Sequence, residues 1–408
     1  MTTSTTSIGL DTVPDWQDRS AALADDLVAA GKLSSPQWRA AVEDVPRHVF
    51  VPRFYLHREG RMVALAADDP GTRQEWADTV YTNTALVTLV DHDKNNGPVY
   101  LSSSSTPGLM TRMLEALDIH DGHTVLEIGT GTGLNAAWLT HRLGEKHVYS
   151  IDIEPDLVDT ARARLAQLGY RPTLVTGDGS AGLPEHAPFH RIIATCSVPS
   201  IPWSWVEQTR IGGRILVDVR AGTNAGNLVH LTRTAQDRAD GNFDATGATF
   251  MGLRHNPGAD SRIPYTRTSA DLPATTSTTT RDPRTPWTQP VVWFLTAMRL
   301  GSSYRIGYAG DPQNGPRAVT ITTPDGSRAE IALATDDHGH HTVRETGPVR
   351  LWQHVEHAHQ IWDQAGQPPW QSLGLLVTPD TQTIYADTID TPLATIPSAQ
   401  QTQKGNRA

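Results

Sequence analysis

The sequence predicts an α/β protein, a doubly wound sheet with helices on both faces, followed by a second, smaller α+β domain. Three observations carry this. A short apolar strand runs into a glycine turn and then a helix at Val125–Gly133, with the sequence VLEIGTGTG. Short strands and helical stretches alternate from there to Leu231. A Thr- and Pro-rich stretch around Ala274–Thr280 then precedes over 100 further residues that hold Trp287, Trp293, Trp352, Trp362 and Trp370.

Composition sets the outer limits. A chain of 408 residues has room for two or three domains. Hydrophobic content of 38% and a mean hydropathy of -0.38 fit a soluble globular protein. No apolar run approaches the ~18 residues of a membrane span. The N-terminus lacks a basic region followed by an apolar core, so no secretory signal is expected. The single cysteine, Cys196, rules out an internal disulfide and suits the cytoplasm, the expected location. The net charge of -10 disfavours a broad nucleic-acid or anionic-membrane surface. Neither nucleic acid nor membrane is therefore expected as a partner, and the chain is expected to be a monomer.

In chain order, residues 1–14 are Thr/Ser-rich and read as a disordered tail. Asp15–Ala30 has Trp16, Leu23 and Leu27 at helical spacing and stops at Gly31. Ser35-Pro36 caps and starts a second helix through Trp38, Val42 and Val45. Pro46 and Pro52 bracket the next segment, which cannot be one continuous helix. Residues 53–100 read as mixed and polar, with a turn at Asn95-Asn96-Gly97. A serine run, Ser102–Ser105, precedes a helix with Leu109, Met113, Leu114 and Leu117 on one face. After the glycine turn come strands at Val148–Ile151, Thr173–Thr176, Arg191–Thr195, Arg214–Val219 and Leu228–Leu231. Helices are expected at Pro155–Leu168 and Trp203–Gln208. The first domain is placed at 15–255, a linker at 256–286, the accessory domain at 287–396 and a disordered tail at 397–408. Within the accessory domain, Val291–Leu295, Ala318–Ile321, Ser372–Val377 and Thr383–Tyr385 read as strands. Pro324–Ser327 reads as a hairpin turn and Arg350–Ala365 as a helix.

The chemistry starts at the glycine turn. A dinucleotide site favours G-x-G-x-x-G, but here the third glycine, Gly133, comes one position early and Glu127 precedes the turn. The spacing acid-x-G-x-G-x-G is that of S-adenosylmethionine-dependent methyltransferases. A second acid, Asp152, ends the next strand, where a carboxylate can accept both hydroxyls of a ribose. Asp178, between Gly177 and Gly179, is placed to meet an adenine edge. An α/β turn without ligand is the plain alternative, and three strand ends carrying acids weigh against it. The serine run, taken alone, reads as loop and helix-cap chemistry. Cys196 reads as a small packing residue. His338, His340, His341, His354, His357 and His359 read as solvated, so no metal site is expected.

Five segments give a resemblance. VPRHVFVP (Val45–Pro52), SSTPGLMTRML (Ser104–Leu114), VLEIGTGTG, GDGSAGLPEHAPF (Gly177–Phe189) and IPWSWVEQTRIGGRILV (Ile201–Val217) resemble, in order and spacing, the protein-L-isoaspartate O-methyltransferase family. The resemblance covers roughly residues 15–232. It implies a class I methyltransferase (Rossmann-like) sheet, S-adenosyl-L-methionine as cofactor, and esterification of an aspartyl or isoaspartyl carboxylate in a peptide or protein. It implies a catalytic serine two residues before a proline, here Ser105 before Pro107. It implies cofactor contacts at Ser105, Glu127, Gly129, Thr130, Gly131, Gly133, Asp152, Ile153, Asp178 and Gly179, and substrate contacts at Val49, Phe50 and Ser104. His48, Asn83 and His190 depart from the family's usual acids, and the connection from Tyr81 to Ser105 is long. The family's repair enzymes are expected to stop near the end of the sheet. The segment LWQHVEHAHQIWDQAGQPPWQSLGLLVTP resembles the extension of actinobacterial members that tailor ribosomally made peptides, lanthipeptides and ATP-grasp-crosslinked peptides among them. That resemblance implies methylation of a chosen aspartate in a macrocyclic precursor and closure to an aspartimide. General L-isoaspartyl repair is the nearest alternative reading, and a non-catalytic peptide-binding module is the alternative from another class.

Overall fold

The computed structural model describes residues 8–93, 97–257, 273–301, 303–311 and 313–397. The chain divides into two compact units. Among the described residues the first takes 8–196, 204–217 and 253–257, and the second takes 197–203, 218–252 and 273–397.

The first unit opens with three helices. Helix α1 (Trp16–Ala29) buries Leu23, Ala24 and Leu27. Helix α2 (Pro36–Asp44) starts on Ser35, whose hydroxyl accepts the Trp38 N–H at 3.4 Å, with Pro36 in the first position. Helix α3 (Arg47–Phe50) is a single buried turn after Pro46, as the flanking prolines require. The expected disorder of 1–14 does not hold for its described part. Ile8 and Val13 are buried, and Leu10–Thr12 forms a 3-10 turn.

Residues 53–104 differ most from expectation. Strands β1 (Arg53–Arg58) and β2 (Arg61–Ala66), helix α4 (Arg73–Val80) and strands β3 (Leu86–Asp93) and β4 (Gly97–Ser104) occupy them. The four strands form one antiparallel sheet in the order β2-β1-β3-β4. Their sequences, such as RFYLHR and LVTLVDHD, carry too many polar residues for clean alternation, and cross-strand pairing stabilises them instead. Residues 94–96, with most of the expected Asn95–Gly97 turn, lie outside the described residues. Three of the four serines belong to β4 rather than to a loop, and only Ser105 and Thr106 lead into α5 (Pro107–Ala116).

The alternating region follows. Strand β5 (Val125–Ile128) is wholly buried and leads through the glycine turn to α6 (Leu134–Leu143). Strand β6 (Val148–Asp152), helix α7 (Pro155–Gln167), strand β7 (Thr173–Thr176) and strand β8 (Phe189–Val198) complete the parallel set. Here β5 pairs in parallel with β6 and β8, and β6 with β7, giving the order β8-β5-β6-β7. All three acids of the sequence motif thus sit at carboxyl ends of neighbouring strands. Helix α8 (Trp203–Gln208) precedes β9 (Thr209–Arg220), which carries the chain from the first unit into the second.

In the second unit β10 (Gly226–Ala235) and β11 (Arg238–Phe243) form an antiparallel pair. Strand β12 (Thr275–Thr279) and the one-turn helix α9 (Thr285–Thr288) occupy part of the expected linker. Helix α10 (Pro290–Leu300) corrects another expectation, because the run Val291–Leu295 reads as a strand from its β-branched and aromatic residues. Pro290 at the first helical position and burial of every residue from Val291 to Ala297 settle it as a core helix. Strands β13 (Arg305–Asp311), β14 (Gly315–Thr322), β15 (Arg328–Thr335) and β16 (His341–Thr346) join β12 in a sheet ordered β12-β16-β15-β14-β13. Helix α11 (Leu351–Gln364) then leads to β17 (Leu373–Val377), β18 (Thr381–Ala386) and β19 (Pro392–Pro397).

The expected boundaries at 255, 256–286 and 287 move for one reason. Strand β17 pairs with β11 from Ala239↔Val377 to Asn242↔Gly374, so residues before the expected linker fold with residues after it. The unit's core gathers Trp293, Tyr304, Ile321, Ile331, Val343, Leu351, Trp352 and Val355. The Trp293 indole N–H and the Tyr304 hydroxyl both donate to the Thr223 carbonyl, each at 2.9 Å. Removing the Trp293 ring empties this core and strips one of those bonds. Trp293→Ala is expected to cost about 3–5 kcal/mol of stability in a denaturant titration.

Candidate active site

The glycine turn is shaped by what touches it. Gly129 has φ +96°, and a Cβ there would lie 2.6 Å from Thr195 Oγ1. Gly131 has φ +50°, and its nearest neighbours to a Cβ would be Ser102 Oγ at 3.7 Å and Ser103 O at 3.8 Å. Packing therefore forbids a side chain at Gly129, while bare backbone at Gly131 leaves a cradle open toward the serines of β4. The Ser102 hydroxyl is buried and has no hydrogen-bond partner among the described residues.

Asp152 closes one side. Its Oδ2 accepts the Gly131 N–H at 2.9 Å and its Oδ1 the Glu154 N–H at 3.1 Å. The carboxylate is thus fixed across two strand-end turns. Burial raises its pKa, opposed by those two backbone bonds. Asp178 lies after β7. Burial pushes its pKa up, but the Ser180 N–H and His255 bonds outweigh burial and hold it below the usual range. The distances are 2.9 Å to Ser180 N and 2.9 Å to His255 Nδ1. Gly179 follows, where a Cβ would meet Ile128 Cγ2 at 2.6 Å. Ile153, next to Asp152, is half-buried.

Glu127 is placed otherwise than expected. It is fully buried beneath the turn, not on the open side. Its Oε1 accepts the Asn135 amide N–H at 2.7 Å and its Oε2 the Ser150 hydroxyl at 2.6 Å. Ser150 Oγ also bonds Thr130 Oγ1 at 2.6 Å, which spends Thr130 on the same brace. Burial raises the Glu127 carboxyl to about 7, against the lowering effect of Ser150 and Asn135.

The three expected substrate contacts are buried too. Val49 and Phe50 are 1% and 0% exposed, and Ser104 is 2% exposed. Phe50 Cδ1 would lie 3.6 Å from a Cβ on Gly133, so this helix packs against the turn. Ser105 differs. It is half-buried, and its hydroxyl makes no hydrogen bond among the described residues.

The family departures have structural partners. His48 Nδ1 and the Tyr81 hydroxyl are bonded at 2.6 Å, and burial lowers the imidazole to about 4. Asn83 Oδ1 accepts the Gly108 N–H at 2.8 Å. His190 Nδ1 accepts the Thr124 N–H at 3.0 Å and stacks on His123. Sequence reasoning missed Asn135, Ser150, Arg47 and Arg254. The first two carried a signal, a polar residue inside an apolar helix start or strand. Arg254 carried none; it pairs with Glu154 and donates to Leu101 O at 3.2 Å, tying β4 to the turn after β6.

The comparisons agree with this geometry. A family model described as Protein-L-isoaspartate(D-aspartate) O-methyltransferase (PCMT) matches residues 71–254. A protein-L-isoaspartate O-methyltransferase of Methanothermobacter thermautotrophicus is 32% identical over 222 residues, 54% of this chain and 88% of its own. This chain belongs to the protein-L-isoaspartate O-methyltransferase family. A relative of that name from Rhodospirillum rubrum is 36% identical over 201 residues, 48% of this chain and 76% of its own. A solved chain titled protein-L-isoaspartate O-methyltransferase superimposes with a TM-score of 0.52 at 22% identity, covering 90% of this chain and 100% of that one. Coverage of 90% takes in most of the second unit, so a family protein need not stop at the end of the first sheet.

The enzyme is an S-adenosylmethionine-dependent carboxyl O-methyltransferase. Its residues fit that donor. Asp152 offers a fixed carboxylate, Gly131 an unobstructed backbone, Ser102 a buried hydroxyl without a partner, and Asp178 an oriented acid at the neighbouring strand end.

A pH dependence follows from Glu127. Its folded pKa, about 7, lies above the usual glutamate value of 4.5. Its contribution to stability is full below 4.5 and is lost as pH rises through about 7. Glu127→Gln removes this penalty. Its melting temperature relative to the parent is expected to rise between pH 5 and pH 8 in thermal scans.

Proposed function

We propose that the enzyme methylates the side-chain carboxylate of an aspartyl residue in a ribosomally made, macrocyclic peptide, with Ser105 as the catalytic residue. The observation that carries the acceptor reading is the half-buried Ser105 hydroxyl, unpartnered among the described residues, at the end of the strand that faces the glycine turn.

The chemistry asks little of the protein. An aspartyl carboxylate is ionised at pH 7, so no general base is needed. Bound S-adenosylmethionine supplies a methyl group already activated on a sulfonium centre. The Ser105 hydroxyl donates a hydrogen bond to one carboxylate oxygen and leaves the other free to attack. Asp152 and Asp178 hold the donor's polar groups, and the buried β4 serines and α3 keep water from the reacting carboxylate. The following backbone nitrogen of the acceptor can then attack the ester carbonyl. It forms the ring C–N bond, loses its proton and expels methanol, leaving an aspartimide.

Support for a dedicated peptide acceptor comes from the second unit. Trp293 and Trp352 are core, but Trp287 is 38% exposed and Tyr308 50% exposed. Their rings stack at 4.6 Å between centroids and 13° between planes. Such an aromatic platform on a surface suits a peptide side chain. Repair of L-isoaspartyl proteins is the second reading. It is favoured by the names of the relatives.

Mass spectrometry decides between them. Loss of water from a cyclised precursor, with no turnover of a generic isoaspartyl peptide, supports tailoring. Methyl gain on the generic peptide alone supports repair and sinks the first reading. Ser105→Ala is expected to slow transfer about 10–100-fold while titration with S-adenosylmethionine shows largely intact affinity. Trp287→Ala is expected to raise KM for the native peptide several-fold with kcat kept. Cutting the chain near 286 would strip β17 from β11, so the point variant is the cleaner test.

A further inference from the structure

Arg47 carries a charge that the fold does not explain. It lies on α3 and is 2% exposed. Nη1 donates to Thr82 O at 2.7 Å, and Nη2 donates to Thr84 O at 2.9 Å and to Ser104 Oγ at 3.4 Å. All three acceptors are neutral. Its Nε is buried with no hydrogen-bond partner among the described residues. The flanking side chains His48 and Asn83 are neutral as well, since burial keeps the imidazole unprotonated at neutral pH.

Arg164 also bonds only carbonyls, those of Phe50 and Thr132, but three other deeply set arginines have an acid. Arg191 has an Asp118 oxygen at 3.9 Å, Arg220 has Asp218 at 2.8 Å, and Arg254 pairs with Glu154. Burying a guanidinium without a counter-ion is unfavourable, and its three hydrogen bonds do not replace one. Neutral N–H donors would bridge the same carbonyls. What distinguishes arginine here is the charge.

The charge sits under the proposed acceptor site. Ser104 takes its hydrogen bond, and Ser105 is the next residue. Asn83, between the two carbonyls that Arg47 holds, accepts the N–H of Gly108 at the start of α5. Ser105 therefore lies between two points that this one network pins. At a few residue lengths, inside a protein, a charge acts with little screening.

We propose that Arg47 is the positioning residue for the acceptor carboxylate: its uncompensated charge, beneath Ser105, makes the site select an ionised carboxylate over a neutral amide. This rests on the reading of Ser105 as the acceptor-binding serine. The carboxylate is the counter-ion that the resting protein lacks, so the cost of burying Arg47 is offset only when an acceptor is bound.

The test measures binding of a synthetic isoaspartyl peptide and its uncharged asparaginyl counterpart to the enzyme loaded with S-adenosylhomocysteine. The wild type is expected to favour the charged peptide by about tenfold or more. Arg47→Lys keeps the charge and is expected to keep most of that preference. Arg47→Gln is expected to bind both peptides within about twofold, with affinity for S-adenosylhomocysteine unchanged. Arg47→Met, also uncharged, is expected to lose the preference as Arg47→Gln does. A merely structural Arg47 would lower affinity for both peptides alike. If Arg47→Gln does not fold, Arg47→Lys against Arg47→Met decides. An uncharged variant at Arg47 that keeps the wild-type preference overturns the role of Arg47 alone. A wild type that shows no preference overturns the acceptor reading and takes the role of Arg47 with it.

Discussion

The hydrogen bonds around the buried Glu127 carboxylate hold the donor-binding end of the sheet together. They join the last turn of β5 to the first turn of α6 through Asn135, and β5 to β6 through Ser150. Thr130 joins the same brace from within the glycine turn. With those positions set, Gly131 presents its N–H to Asp152, and Asp152 reaches on to Glu154. A flexible glycine turn becomes a rigid cradle because each of its flanks is tied to a buried polar group. The cost is a carboxyl pushed up to about 7, strain of the kind that cores tolerate where a site requires it.

A second polar layer lies across the cradle. Arg47 and Asn83 fix the segment 82–84, Ser104 and the start of α5 against one another. Arg254 fixes Leu101 and Glu154. Between them the serines of β4 are held opposite Gly131. Ser102, Ser103 and Ser104 are thus placed by the register of an antiparallel sheet, and Ser105 follows directly on the last of them. The second unit is built on different terms. Its core is aromatic and aliphatic, and its few buried polar bonds, Trp293 and Tyr304 on Thr223, orient rings rather than ligands.

What the sequence determined by itself was the local and the periodic. Glycine spacing, capping residues and short apolar strands fixed β5 to β8, their helices and the positions of Asp152 and Asp178, because those signals depend on neighbours in the chain. The five motif segments also sufficed for the family. What only the tertiary structure decided was pairing at a distance and the side on which a residue lies. The sheet β1–β4 has too little alternation to be read alone. The run Val291–Leu295 is a helix because it is buried on all sides, a condition its composition does not express. Glu127, Val49 and Phe50 stand at motif positions yet face inward, since the pleat and the single turn of α3 point them under the cradle. Arg47 and Arg254 look like ordinary surface cations in the sequence. They become part of buried polar networks only because the fold brings Thr82, Thr84, Ser104, Glu154 and Leu101 to them.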